Sequence, residues 1–212
     1  YYYAYRMIAV GGLDDFQAFK TPLLNQDDLF DPSEQRDLYL YGINYCVRAY
    51  NRGERGLLAD HFDLYQAGLE KAYLLHDGQI TSFNYLNVVT LGLILKRYDW
   101  IGFFNEQFSR YLPTKQRKDL QSYTTARLAY ARGQYQLALE NLHQTQYVDL
   151  LMQLSARILL IKIYYATDAY QALESQVHAC EVFIRRKPEL AYHRANYQHM
   201  LAFVRRILAL PP

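Results

Sequence analysis

Apolar positions recur along this chain at helical spacing, and short polar or glycine-bearing stretches interrupt them at near-regular intervals. Trp100, Tyr135 and Tyr170 are spaced by 35 residues, and each opens the same phrase: an aromatic ring, two spacers, then a residue expected to pack closely. The phrases read Trp100-Ile-Gly-Phe103, Tyr135-Gln-Leu-Ala138 and Tyr170-Gln-Ala-Leu173. The same offset relates Leu91, Ala126 and Ile161, then Leu93, Leu128 and Ile163, and then Leu112, Tyr147 and Val182. A period near 34 marks an array of helix-turn-helix units, each of which buries its apolar faces by stacking on its neighbours. No stretch alternates with a two-residue period between turn signals, so essentially no sheet is expected.

The pattern divides residues 1–212 into a single all-α array with approximate hairpin units 1–30, 32–77, 81–112, 114–147 and 148–187, closed by a capping helix over 189–208. Tyr1 to Val10 reads as the tail of a helix entered partway, broken by Gly11-Gly12; with no initiator Met, a truncated N-terminus is expected. Asp14-Asp15-Phe16-Gln-Ala-Phe19 repeats the aromatic phrase weakly before Thr21-Pro22. Asp31-Pro32-Ser33-Glu34 is a helix start: Asp caps, Pro fits the first turn, and Glu stands three after the cap. That helix is expected to reach about Tyr50, where Gly53 accepts the left-handed conformation that ends it. Its partner should run from Gly56 to Leu75 and close at His76-Asp77-Gly78.

Thr81 or Ser82 caps the next helix, which runs to Lys96, with Trp100 to Tyr111 as its partner. The pairs Lys115–Ala131 with Tyr135–Gln144 and Val148–Ala166 with Tyr170–Arg186 follow. Met152 to Ala166 is apolar around most of its circumference and must be covered on more than one side. The last helix carries Tyr197, Leu201, Val204 and Leu208 opposite Arg194, Gln198, Arg205 and Arg206, as a terminal cap should.

Composition sharpens this picture little. Half the residues are apolar, and 22 Tyr and 10 Phe supply large rings whose hydroxyls, in tyrosine, can still reach water. A formal charge of +2 does not call for an acidic partner for the chain as a whole. Cys46 and Cys180 lie far apart with no CxxC pairing, which suits buried thiols in a reducing, cytoplasmic compartment. The most apolar stretch, Leu150 to Ala166, contains Gln153, Arg157 and Lys162, which argues against a membrane span.

Signals for catalysis are lacking: there is no GxGxxG, Walker loop or HExxH, so no enzyme, cofactor or metal is expected. Asp60-His61-Phe-Asp63 is the one tight Asp/His cluster, and on a helix His61 would be offset from the two carboxylates, which is poor metal geometry. His143 and His178 share a repeat position and so a similar packing environment is expected; His193 and His199 share no face well. Arg185, Arg186, Lys187, Arg194, Arg205 and Arg206, with Tyr192 and Tyr197 among them, form a basic C-terminal face that could meet phosphates. Glu181 and Glu189 dilute it, and cations also favour helix ends and caps without any ligand.

Gly133-Gln-Tyr135-Gln-Leu-Ala138 resembles the turn and second helix of a tetratricopeptide repeat. The first helices lack that repeat's Trp-Leu-Gly, and the period is one residue longer. Longer stretches resemble uncharacterised bacterial tetratricopeptide-like proteins of Bacteroidetes type. They are Lys96-Arg-Tyr-Asp-Trp100 through Leu112-Pro113, Lys162-Ile-Tyr-Tyr165 with Ala172-Leu-Glu-Ser175, and Ile184-Arg-Arg-Lys187 with Tyr192-His-Arg-Ala-Asn-Tyr197. The likeness spans about residues 34–208 and carries no assigned activity. It implies a right-handed superhelix of antiparallel helical hairpins, a tetratricopeptide-like α-solenoid, whose first helices line a concave groove.

In that frame Val88, Gly92, Leu95 and Lys96 fall in the groove, followed by Tyr123, Arg127 and Tyr130, then Ile158, Lys162 and Tyr165. Arg127 and Lys162 are equivalent by the 35-residue offset, as are Tyr130 and Tyr165. Stacked cations flanked by stacked rings suit an extended peptide. The competing reading is that the rings fill the seam between helices while the cations snorkel to water. The asparagine-rich carboxylate clamp of chaperone-binding relatives is not evident. The expected role is a non-catalytic scaffold for a peptide or protein partner through Lys96, Tyr123, Arg127, Tyr130, Lys162 and Tyr165. A self-assembling structural role and an accessory nucleic-acid-binding module on the basic face are the alternatives.

Overall fold

A computed structural model describes residues 1–9, 11–25 and 30–209, except the side chains of 191–193. Val10, Pro211-Pro212 and the Tyr192 and His193 side chains lie outside the described residues. Among those described, every regular element is helical: eleven α-helices, two single 3₁₀ turns and no strand beyond one isolated bridge between His76 and Gln79. The contacts divide the chain into two compact units, Tyr1–Arg117 and Lys118–Pro212.

The first unit holds α1 (Tyr2–Ala9), α2 (Leu13–Asn25), α3 (Pro32–Asn51), α4 (Leu58–Glu70), α5 (Ser82–Ile94) and α6 (Tyr98–Phe108), then the 3₁₀ turn Ser109–Tyr111. The start of α3 is as the sequence indicates: Asp31 accepts from the Ser33 and Glu34 N–H groups, and the Glu34 carboxylate accepts from the Asp31 N–H. Gly53 ends it at φ +90°. α2 does not stop at Thr21-Pro22 but continues to Asn25, which keeps Phe19 and Leu23 on one buried face.

α4 is shorter than expected. It ends at Glu70 because Ala72 turns left-handed (φ +60°) and the Leu74 N–H donates back to the Gly68 carbonyl. A Cβ at Gly68 would lie 2.8 Å from Leu74 and 3.0 Å from Tyr39, so only glycine leaves room for that return. Tyr39, Tyr65, Tyr85, Phe16 and Phe104 are enclosed in this unit, and Trp100 packs edge-on to Phe62 and stacks on Phe104.

α7 (Thr114–Ala131) leads into the second unit, followed by α8 (Tyr135–His143), α9 (Leu150–Ala166), α10 (Tyr170–Arg185), the 3₁₀ turn Pro188–Leu190 and α11 (Ala191–Leu208). α9 is covered on two sides, as its all-round apolarity requires. Ala156, Leu159 and Ile163 pack with Ala126 and Ala129 of α7 and Ala138 and Leu142 of α8. Leu154 and Ile161 pack instead with Leu173, Val177 and Cys180 of α10 and Leu201 of α11. Asp149 caps α9 by accepting from the Met152 N–H at 2.9 Å. α11 buries Leu201, half-buries Tyr197, Val204 and Leu208, and exposes Gln198, Arg205 and Arg206, while Arg194, expected on the polar face, is half-buried.

The first-helix positions keep the 35-residue register in part: Leu91, Ala126 and Ile161 are all buried, whereas Leu93 is half-buried where Leu128 and Ile163 are buried. The second-helix positions do not. Ala138 and Leu173 are fully buried, whereas Phe103 is 55% exposed and its neighbours Ile101 and Phe104 are enclosed. Ile101 seats on Gly92, where any Cβ would come within 2.5 Å of it, and that approach turns α6 so that Phe103 faces out. The three rings also differ in depth: Trp100 and Tyr135 are half-buried, and Tyr170 is 56% exposed.

Candidate functional site

Tyr123, Arg127 and Tyr130 follow one another at helical spacing along one face of α7. The Arg127 guanidinium lies over the Tyr123 ring, 5.8 Å from its centroid. Both side chains are half-buried. Burial pushes the Tyr123 hydroxyl above its ordinary value, opposed by the Arg127 charge and a hydrogen bond with Ser155, while Tyr197 pushes it further up. Burial likewise holds the Arg127 guanidinium below its ordinary value, opposed by Tyr123. Tyr123 of α7 thus meets Ser155 of α9. Tyr130 is half-buried against Tyr135, with ring centroids 5.8 Å apart.

On α9 the corresponding stripe is Leu151, Ser155, Ile158, Lys162 and Tyr165. Lys162 is exposed and Tyr165 is 51% exposed, so α9 presents its cation and ring to solvent, whereas α7 half-buries both of its own. The seam-filling reading therefore describes Tyr123 and Tyr130 in part, and it does not describe Tyr165. Arg157, which the sequence did not single out, lies over the Phe183 ring at 4.7 Å. Ser155 was also missed as a neighbour of Tyr123; the 35-residue offset pointed at Ile158 instead.

Lys96 is placed differently. It is exposed in the turn after α5 at φ +56°, within the first unit, and not on a helix face. Of the companions assigned to a groove with it, Val88 and Gly92 are interior and Leu95 is half-buried. Val88 is 0% exposed and Gly92 lies under Ile101. These positions carry packing, because α5 is enclosed by α4 and α6 on the side that the repeat frame assigned to the groove.

The Asp/His cluster is dismantled by packing. Lys20 of α2 reaches Asp60 at 2.8 Å and Asp63 at 2.6 Å, and Gln17 donates to Asp60 at 3.1 Å. Burial opposes the Lys20 charge, but the two carboxylates more than offset it and hold its pKa above the ordinary value. His61 turns inward, stacks on Tyr65 at 5.1 Å, and burial lowers its pKa to about 4. No group of three His, Cys, Asp or Glu among the described residues is placed to hold a metal ion. His143 and His178 are both exposed, so their shared position is a solvated one and not a packed one. Cys46 and Cys180 are buried free thiols, pushed by burial up to about 12 and about 11.

Two of the basic C-terminal residues are engaged within the unit, while Arg185, Arg186 and Arg206 are exposed. Arg205 forms a two-point contact with Glu181 at 2.5 and 2.6 Å, and Arg194 donates to the Lys187 carbonyl at 3.2 Å. Elsewhere, a cavity of about 180 Å³ in the first unit is lined by Tyr1, Tyr3, Phe19, Leu23, Phe30 and Leu38, among others. No described helix is long and apolar enough to cross a membrane.

The architecture defines an all-α protein of packed successive helices. No family model, curated protein or solved structure matches the chain.

Proposed function

We propose that this chain is a non-catalytic protein-interaction scaffold, each of its units a stretch of divergent tetratricopeptide-like, right-handed superhelix built from antiparallel hairpins. A peptide segment or a partner protein lies along the α7–α9 face, in contact with Tyr123, Arg127, Tyr130, Lys162 and Tyr165. The observation that carries this reading is the pairing of equivalent cations and rings on two packed helices, with Lys162 and Tyr165 open to solvent. Arginine and tyrosine at a partly dehydrated surface are the residue types that anchor interfaces. Lys96 stands apart, on a turn of the first unit. Buried free thiols suit a reducing, cytoplasmic setting.

The test uses exposed positions. Lys162→Glu combined with Tyr165→Ala should leave the melting temperature unchanged, because neither side chain is buried, and should abolish capture of a partner that the wild-type chain retains from native lysate. The same partner retained at full yield by the double variant would remove this face from consideration. Arg127→Glu is a poorer probe, since a half-buried cation over a ring contributes to packing as well as to charge.

A further inference from the structure

Three helices of the first unit meet around the cavity beside Tyr1. α1 contributes Ala4, α2 contributes Phe19 and Leu23, and α3 contributes Gln35 and Leu38, all of them buried. Phe19 and Leu23 stand one turn apart on α2, and Gln35 and Leu38 one turn apart on α3, so each pair faces the same way. Each of these helices packs on the other two, and α1 brings only the methyl group of Ala4 to the junction, which leaves a space of about 180 Å³. On its outer side stand Tyr1 and Tyr3, 63% and 46% exposed. This rim is held in place: the Tyr1 hydroxyl donates to the Glu34 carboxylate, and the Tyr1 ring meets Phe30 edge-on at 5.1 Å.

The size and the walls define what fits. Protein interiors are close-packed, and voids larger than a water molecule are few. A dry apolar cavity of about 150 Å³ is enough to hold benzene, so this one has room for a single ring with a substituent. Tyr1, Tyr3, Phe19 and Phe30 present rings to it, and rings favour edge-on and offset contacts with another ring. Water suits such walls poorly, because it needs several polar partners. Gln35 is the polar exception: it is fully enclosed, and among the described buried residues lining the space it alone is not apolar. Its amide both donates and accepts, so it can meet a hydroxyl or a ring N–H. No charged side chain is among the described lining residues, and an ionic ligand would lose its hydration without gaining a counter-charge.

We infer that this cavity is a binding site for a small neutral aromatic molecule of about phenol size, with its ring against Phe19, Leu23 and Leu38 and its one polar substituent on the Gln35 amide. The site lies within the first unit and uses none of the α7–α9 residues, so it stands or falls separately from the scaffold reading.

The test is ligand-observed NMR on the full chain, yielding dissociation constants for phenol, toluene and cyclohexanol. Phenol and toluene should both bind. Cyclohexanol keeps the hydroxyl but lacks the aromatic ring, and should bind about fivefold more weakly than phenol. Gln35→Leu removes the amide and keeps the apolar walls, so the affinity of phenol relative to toluene should fall about tenfold while toluene still binds. Leu38→Phe fills the space from α3 and should abolish binding of both without lowering the melting temperature; Leu23→Phe makes the same change independently from α2. Binding of no probe, or binding that survives both filling variants, would overturn the site. Cyclohexanol binding as tightly as phenol would overturn the aromatic class, and an unchanged phenol-to-toluene ratio in Gln35→Leu would overturn the role of the amide. Displacement of phenol by the tripeptide Gly-Tyr-Gly at matching concentrations would make the cavity a socket for a partner's side chain and overturn the small-molecule ligand.

Discussion

At position 61 a histidine is enclosed with its ring stacked on Tyr65, and burial lowers its pKa from 6.5 to about 4. The unfolded chain then binds a proton that the folded chain refuses between those two values, so His61 costs stability as pH falls through this window. The contribution is intact above about pH 6.5 and reaches a loss of about 3 kcal/mol near pH 4. Urea unfolding across that range should show the decline, and His61→Leu should flatten it; an equal slope in the variant would assign the pH dependence elsewhere. Ala72 is a second local case. It is exposed at φ +60°, where a Cβ costs roughly 1 kcal/mol, so Ala72→Gly should stabilise by about that amount in the same assay.

At the scale of the element, helix ends were set by side chains that sequence exposes and helix lengths by contacts that it does not. Asp31, Thr81 and Asp149 each accept a backbone N–H of the helix they begin. Asp149→Ala should lower stability by about 1 kcal/mol, read as a drop in melting temperature. α4 ends five residues before the boundary its own apolar pattern suggests, because Leu74 folds back over Gly68. Gly92 has the same role for α6, and Gly92→Val should cost about 2 kcal/mol or more by forcing Ile101 and Phe62 apart. A variant as stable as the parent would mean that α5 and α6 are not held this closely.

For the whole molecule, each unit carries a core of its own kind: a ring-rich one around Tyr39, Tyr85 and Phe104 in the first, and the aliphatic clusters on either side of α9 in the second. Stability in stacked helical proteins is a sum over units and nearest-neighbour contacts, and local opening follows it. Leu173→Ala should therefore cost about 2–5 kcal/mol and speed amide exchange in α9, α10 and α11 more than in α3 and α4. Uniform acceleration along the chain would show that the units open together.

Helical periodicity, capping residues and the 35-residue offset were enough to establish an all-α chain and to place most helix starts, because those signals act through the backbone within a few residues. The offset also located the equivalent pairs Arg127 with Lys162 and Tyr130 with Tyr165. Which of those side chains are open to solvent, the outward turn of Phe103 and the interior placing of Val88 and Gly92 were decided by packing between helices. Depth depends on which neighbouring surfaces approach, and a contact such as Ile101 on Gly92 joins residues from different helices, beyond the reach of any pattern along one helix.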